Sequence, residues 1–233
     1  MIEQVLLREE EKANLPALIL LGASVSMIGF LAARIAFPAE IGMMSVVFGS
    51  IPVVYSLTSY FFDEEMERVP GIEEFKVYGS VFIGQAAGFG FLAFQNPSLF
   101  RAQRNIIGLT GSATGGPGLV PILVNNLAVA FAVLILAVTI GSAGGFVLSW
   151  NASVLGVFFA ELMIFNPVTV LTYVPHTVLE ISGFIGAGIA GTFISASLSR
   201  EDLDHEHWRR YTVLIAVCAV LIASGAFLET LQL

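Results

Sequence analysis

Seven apolar runs of about 20 residues each follow one another along this chain, with little polar sequence between them. They cover roughly 15–37, 41–62, 76–94, 119–142, 152–174, 177–199 and 209–231. Coiled as an α-helix at about 1.5 Å per residue, a run of that length spans the ~30 Å hydrocarbon layer of a bilayer. Hydrocarbon offers no water to backbone N–H and C=O groups, so helices that close their own hydrogen bonds are the form such runs take. The expected fold class is all-α: a polytopic transmembrane helix bundle of about seven spans with glycine-rich helix packing. Residues 1–14 are expected as a cytoplasmic N-terminal segment, and 15–233 as a single transmembrane domain. Composition agrees, since charged residues make up only 12% where a soluble domain carries about 25%.

The breaks between runs have chemical causes. Phe37-Pro38-Ala39-Glu40 forms a tight reversal, and DEEMERVPGIEE (63–74) and SREDLDHEHWRR (199–210) read as charged loops. GSATGGPG (111–118) reads as a linker, because no Lys-Ser/Thr pair follows its glycines as in a phosphate-binding loop. GSAGGFVLSW, near 142–151, reads as a loop or as a broken helix, and Asn166-Pro167 is expected to kink the fifth span. In the long connection 95–117, Phe100, Arg101, Arg104, Ile106 and Ile107 fit either a short interfacial helix or an ordinary loop.

Basic residues set the expected orientation. Arg8, Lys12, Arg68 and Lys76 fall on one side with Arg200, Arg209 and Arg210; Arg34, Arg101 and Arg104 fall on the other. The excess places the N-terminus in the cytoplasm and the chain in the cell membrane. The short, acidic start MIEQVLLREEEKAN does not look like a cleavable signal. With a net charge of −8 and no basic patch, nucleic acid is excluded as a partner. Cys218 is the single cysteine, so neither an intrachain disulfide nor a cysteine-based zinc site is available. HExxH is absent, His205 and His207 sit in a charged loop, and no metal or other cofactor is expected.

The embedded polar residues are the candidate site. His176 and Glu180 are one helical turn apart in PHTVLEISGFIGAGIAGTFIS, and Gly183, Ala187 and Gly191 continue their stripe. Small residues mark a close neighbouring helix, so this face is expected to point into protein. Asn125 and Asn126 should meet His176 and Glu180 if the fourth and sixth spans are neighbours. Asn151 lies near the start of the fifth span, and Glu161 is placed near the midplane, where a charge costs about 3 kcal/mol or more unless paired or hydrated. Gly84-xxx-Gly88 and Gly22-xxx-Ser26 are small-residue contacts for packing within the chain or for dimerisation.

Three blocks, VNNLAVAF (124–131), GGFVLSWNASVLG (144–156) and PHTVLEISGFIGAGIAGTFIS (175–195), together resemble the stage II sporulation protein M family, especially its archaeal branch of integral membrane proteins. The resemblance covers about 95–231, and Glu229 matches an acidic residue near the end of the family's last helix. Where the family usually has glycine after the histidine, this chain has Thr177. The resemblance implies kinship with a component of an engulfment complex that remodels membrane and wall alongside wall-degrading partners. The leading expectation is a non-enzymatic scaffold of a membrane-organising complex. Its partners would be the bilayer and either another membrane protein or further copies of itself. The alternative is a transporter or channel for a small solute, ion or proton that uses the Glu/His cluster. A third reading is an enzyme acting on lipid, with His176 as acid/base and Glu180 orienting it.

Overall fold

The computed structural model describes residues 14–62, 70–111, 118–201 and 203–232. The N-terminal segment to residue 13, most of the charged loop 63–74 and most of the linker 111–118 lie outside the described residues, as do Arg8, Lys12 and Arg68. The described residues are all-α. Their helices are α1 (Leu15–Ala36), α2 (Ile41–Phe62), α3 (Ile72–Gln95), α4 (Arg101–Gly111), α5 (Leu119–Ile140), α6 (Gly144–Phe165), α7 (Val170–Arg200) and α8 (His205–Gln232). Six stretches are long and apolar enough to cross a membrane, making this a multi-pass membrane bundle. The fourth of them, Leu119–Phe165, is 47 residues long and contains both α5 and α6.

Local chemistry sets the helix ends. Asn14 Oδ1 accepts the Ala17 N–H at 3.2 Å ahead of α1. Glu74 Oε2 accepts the Gly71 N–H at 2.8 Å, and Glu73 and Glu74 sit in the first turn of α3, where the helix dipole favours negative charge. Ahead of α8, Asp204 Oδ1 accepts the His207 N–H at 2.8 Å, and that bond holds its carboxyl below the usual carboxylate range. α7 ends on Glu201, whose φ of 57° is left-handed.

Two boundaries differ from the sequence expectation. The break after α5 is only Gly141–Ala143, with Gly141 at φ 63°, and the glycine-rich stretch beyond it is helix. Helix persists there because Gly144 and Gly145 lie against other helices: a Cβ on Gly144 would meet the Val133 carbonyl oxygen at 2.6 Å, and one on Gly145 would meet Val54 at 3.3 Å. The real boundary is Asn166 and the short turn Pro167–Thr169, so this dipeptide ends α6 instead of kinking it. α7 therefore begins at Val170, and Pro175 lies inside the helix instead of opening it. Unbroken apolarity on both sides of each break left hydropathy no edge to detect.

Contacts give the direction of each helix. Gly29 packs on Ser45 and Gly49 on Val25, so α1 and α2 are antiparallel. Gly84 faces Ile19 and Gly88 faces Ser26, so α1 and α3 are parallel. Ser149 bonds Gln85 while Gly156 meets Gly90, so α3 and α6 are also parallel. Val133 meets both Gly144 and Gly188, and Ala137 meets Gly191, so α6 folds back on α5 and α7 runs parallel to α5. Gly183 packs on Cys218 and Gly225 on His176, which makes α8 antiparallel to α7. Thus α1, α3, α6 and α8 run one way, and α2, α5 and α7 run the other.

Two apolar clusters fill the ends of the bundle. Near the α5–α6 turn, Phe61 stacks on Tyr78 and Phe193 at 5.2 and 5.8 Å, joining α2, α3 and α7. At the opposite end, Phe30, Val46, Phe89, Phe100 and Val157 join α1, α2, α3, α4 and α6. α7 is the central helix, and every residue from Gly183 to Ser197 is buried.

Candidate functional site

The parallel packing of α5 on α7 brings Asn126 to Glu180. Asn126 Nδ2 donates to Glu180 Oε1 at 2.6 Å, and Asn125 Nδ2 donates to Asn126 Oδ1 at 3.2 Å. Asn126 is buried, Glu180 half-buried and Asn125 exposed. A short interhelical hydrogen bond of this kind satisfies two polar groups that would otherwise lie unpaired in a dry interior. α8 closes the other side: a Cβ on Gly225 would meet Glu180 Cγ at 2.5 Å and the His176 carbonyl oxygen at 3.0 Å. Glu229, one turn beyond Gly225, is an electrostatic neighbour of Glu180. His176 is buried, and its ring packs edge-on against Tyr173 at 5.4 Å, which in turn packs on Phe158 at 5.1 Å.

The small residues of the α7 stripe meet two neighbours. Gly183 lies against Ile222 and Cys218 of α8, while Gly191 lies against Ala137 and Leu134 of α5. Ala187, between them, belongs to the main apolar core. Gly84 and Gly88 pack on Ile19, Ala23 and Ser26 of α1, so both small-residue pairs contact each other within one chain.

Two expected members lie elsewhere. Asn151 Nδ2 donates to the Val147 carbonyl oxygen at 2.8 Å on its own helix. Glu161 is one turn from the end of α6, not at the midplane, and its Oε1 lies 2.5 Å from Arg104 Nε of α4. The contact is an ion pair without hydrogen-bond alignment. The midplane estimate assumed that α6 began eight residues later than it does.

α4 is held to the bundle by its first turns. Phe100 is fully buried and packs edge-on to Phe89 at 6.5 Å. Gln103 Nε2 donates to the Gly42 carbonyl oxygen at 3.1 Å and to Ser153 Oγ at 3.4 Å. The Arg104 and Glu161 side chains are 47% and 24% exposed, so their pair contributes at most about 1 kcal/mol. Reversing one charge, Arg104→Glu, is expected to raise protease cleavage of α4, and adding Glu161→Arg should restore protection. Equal cleavage of the single and double variants would remove the pair from any role in docking α4.

A second polar group went unread in the sequence. Ser149 Oγ donates to Gln85 Oε1 at 3.0 Å, and Ser26 Oγ reaches the Gln85 carbonyl oxygen at 3.4 Å, joining α1, α3 and α6. Gln85 is 2% exposed and its Nε2 has no partner among the described residues. The available signal was a lone glutamine between Gly84 and Gly88, on the face that the glycines turn toward α1.

Among the described residues, no group of three or more His, Cys, Asp or Glu side chains is arranged to hold a metal ion. A family model described as Stage II sporulation protein M matches residues 79–231, from the first turns of α3 through α8. No curated protein and no solved structure matches the chain. The match takes in Gln85, the α4 latch and the whole Asn126–Glu180 neighbourhood, and it leaves out α1 and α2.

Proposed function

Because the chain belongs to the stage II sporulation protein M family, we propose that it is a non-enzymatic scaffold of a membrane-organising or membrane-remodelling complex. In this reading it has seven crossings, a cytoplasmic N-terminus and a place in the cell membrane. The carrying observation is that the embedded carboxylates join one helix to another: Glu180 pairs with Asn126 across α5–α7, and Glu161 pairs with Arg104 across α4–α6. Polar groups used this way fix helix positions, as interhelical bonds do in membrane bundles. A bundle of seven long helices packed through small residues suits a platform on which other membrane proteins assemble. The reversal of α5 into α6 at Gly141 supports seven crossings rather than six. The starts of α1, α3, α6 and α8 share the face that carries Lys76, Arg200, Arg209 and Arg210, which supports a cytoplasmic assignment for that face.

Purification from native membranes in mild detergent tests the proposal. A partner protein or further copies should be recovered in fixed stoichiometry. Repeated recovery of a lone chain, monodisperse and correctly folded, would contradict it.

Conduction of a small ion or proton is a second reading, favoured by one feature of α6. Ser149 and Ser153 lie on its buried face, Ser142 is buried in the turn ahead of it, and Gln85 Nε2 and Gln103 Oε1 beside the two helical serines have no partner among the described residues. If these groups line a path, Gln85→Leu should abolish proton flux in proteoliposomes while the fold survives.

A further inference from the structure

A large cavity lies away from the polar cluster. It is a crevice of about 660 Å³ between α3, α6 and α7, open along the side of the bundle. Its floor is built from small residues, Gly79, Ala86, Ala87 and Gly90 on α3 with Gly156 and Ala160 on α6. Aromatic side chains such as Phe82, Phe91 and Phe159 form the walls, and no charged side chain lines it. Thr177 and Ser182 of α7 are its polar members.

Dimensions and charge identify the occupant. The crevice extends from Phe75 to Phe94 on α3, about 28 Å at helical rise and close to the full hydrocarbon thickness. An acyl chain can lie along this lining without leaving an unpaired polar group against it, since only Thr177 and Ser182 are polar and both sit on α7. Apolar cavities of this kind take apolar ligands and exclude water. At one mouth, Lys76 follows the lining residue Phe75 and precedes Gly79 by one turn, with its side chain 42% exposed. Its Nζ lies 2.5 Å from Glu73 Oε1, in an exposed pair that a phosphate can replace. A cation beside the end of an uncharged groove complements a headgroup phosphate.

We infer that the crevice between α3, α6 and α7 holds one acyl chain of a bilayer phospholipid, with the lipid phosphate at the Lys76 mouth. The bound chain completes a bundle surface that would otherwise have a gap. Thr177 fits this arrangement, since a glycine there would lower the wall of the crevice facing α6.

Photolabelling of the intact chain tests the inference. The protein is reconstituted in phosphatidylcholine vesicles containing a trace of phosphatidylglycerol with a diazirine midway along one acyl chain. Adducts are then mapped by mass spectrometry. Labelling of Ala87, Phe91 and Leu155 should exceed that of outward-facing Val220 on α8 by tenfold or more. Ala87→Phe, which fills the groove from an exposed position, should reduce adducts at Phe91 and Leu155 at least tenfold, while Val220→Phe should not. The unaltered chain should prefer this probe to a diacylglycerol with the same diazirine chain and no phosphate, and Lys76→Ala should remove that preference. Equal labelling of crevice and α8 surface in the unaltered chain would overturn the inference, leaving bulk lipid contact only. A polypeptide cross-linked at Ala87 in native membranes would also overturn it, assigning the groove to a protein partner and favouring the scaffold reading. Unchanged probe preference in Lys76→Ala would overturn the placement of the phosphate.

Discussion

Gly84→Ala is expected to destabilise the bundle by about 2 kcal/mol or more, and Gly84→Leu to prevent its assembly. A Cβ on Gly84 would collide with the Ile19 carbonyl oxygen, and Gly22 faces the Val81 carbonyl oxygen in the same way. These are backbone contacts between parallel helices, and neither side has a flexible chain end to move aside. Overpacking at an ordinary core position costs about 1–3 kcal/mol because side chains shift; here α1 and α3 must separate along their length. Gly79 provides the control. On the same helix, the nearest atom to its added Cβ is Ile185 Cδ1 at 4.0 Å, which is ordinary contact. Gly79→Ala should therefore change stability by less than about 1 kcal/mol, with helix propensity acting in its favour. Thermal denaturation of the three variants in one detergent, followed by size-exclusion recovery, separates the cases. Similar midpoints for Gly84→Ala and Gly79→Ala would mean that α1 and α3 are not in backbone contact.

Asn126→Asp is expected to have the second large effect. The substitution replaces the amide that donates to Glu180 Oε1 with a second carboxylate, and Glu229 already lies nearby. Two carboxylates at hydrogen-bond distance in a half-buried site cannot both ionise, and depriving a buried polar group of its partner costs about 1–3 kcal/mol. Loss of folded protein on extraction at neutral pH should follow. The companion Asn126→Asp/Glu180→Gln restores one donor and one acceptor in reversed order, and it should recover most of the lost stability. If Asn126→Asp is as stable as the unaltered chain, or if Glu180→Gln does not rescue it, the hydrogen bond is not what holds α5 to α7.

Much of the architecture was legible because hydrocarbon imposes few choices. Apolar runs of spanning length, separated by Pro, Gly and charge, anticipated seven long helices, while burial along α7 is broader than the stripe of His176, Glu180, Gly183 and Gly191, since every residue from Gly183 to Ser197 is buried. The meeting of Asn126 with Glu180 followed from placing the fourth and sixth runs side by side. Depth was less legible. Between Ile140 and Val170 every residue is apolar, small or helix-compatible apart from Asn151, Glu161 and the Asn166-Pro167 break, so composition alone did not show that Gly141 turns the chain while Gly144 and Gly145 continue it. That shift of eight residues displaced Glu161 from the end of α6 to an apparent midplane. Gln85 and Gln103 were missed because a glutamine raises no charge signal in a hydropathy reading. Only the glycines beside Gln85 and the aromatic anchor Phe100 beside Gln103 told which way those side chains point. The crevice was unreadable for a different reason: Ala86, Gly90 and Gly156 are ordinary small residues until α3, α6 and α7 are placed around a gap.

The coupling free energy between Asn126 and Glu180 tests most directly whether the embedded polar groups hold the helices together. A double-mutant cycle with Asn126→Ala and Glu180→Ala, read from reversible unfolding in bicelles, isolates their interaction. A direct hydrogen bond between α5 and α7 predicts a coupling of about 1–2 kcal/mol, toward the upper end of interhelical polar interactions in membranes. Strictly additive effects, with each single variant as stable as the unaltered chain, would contradict a structural role and return Glu180 to the pool of groups free to act on a solute or substrate.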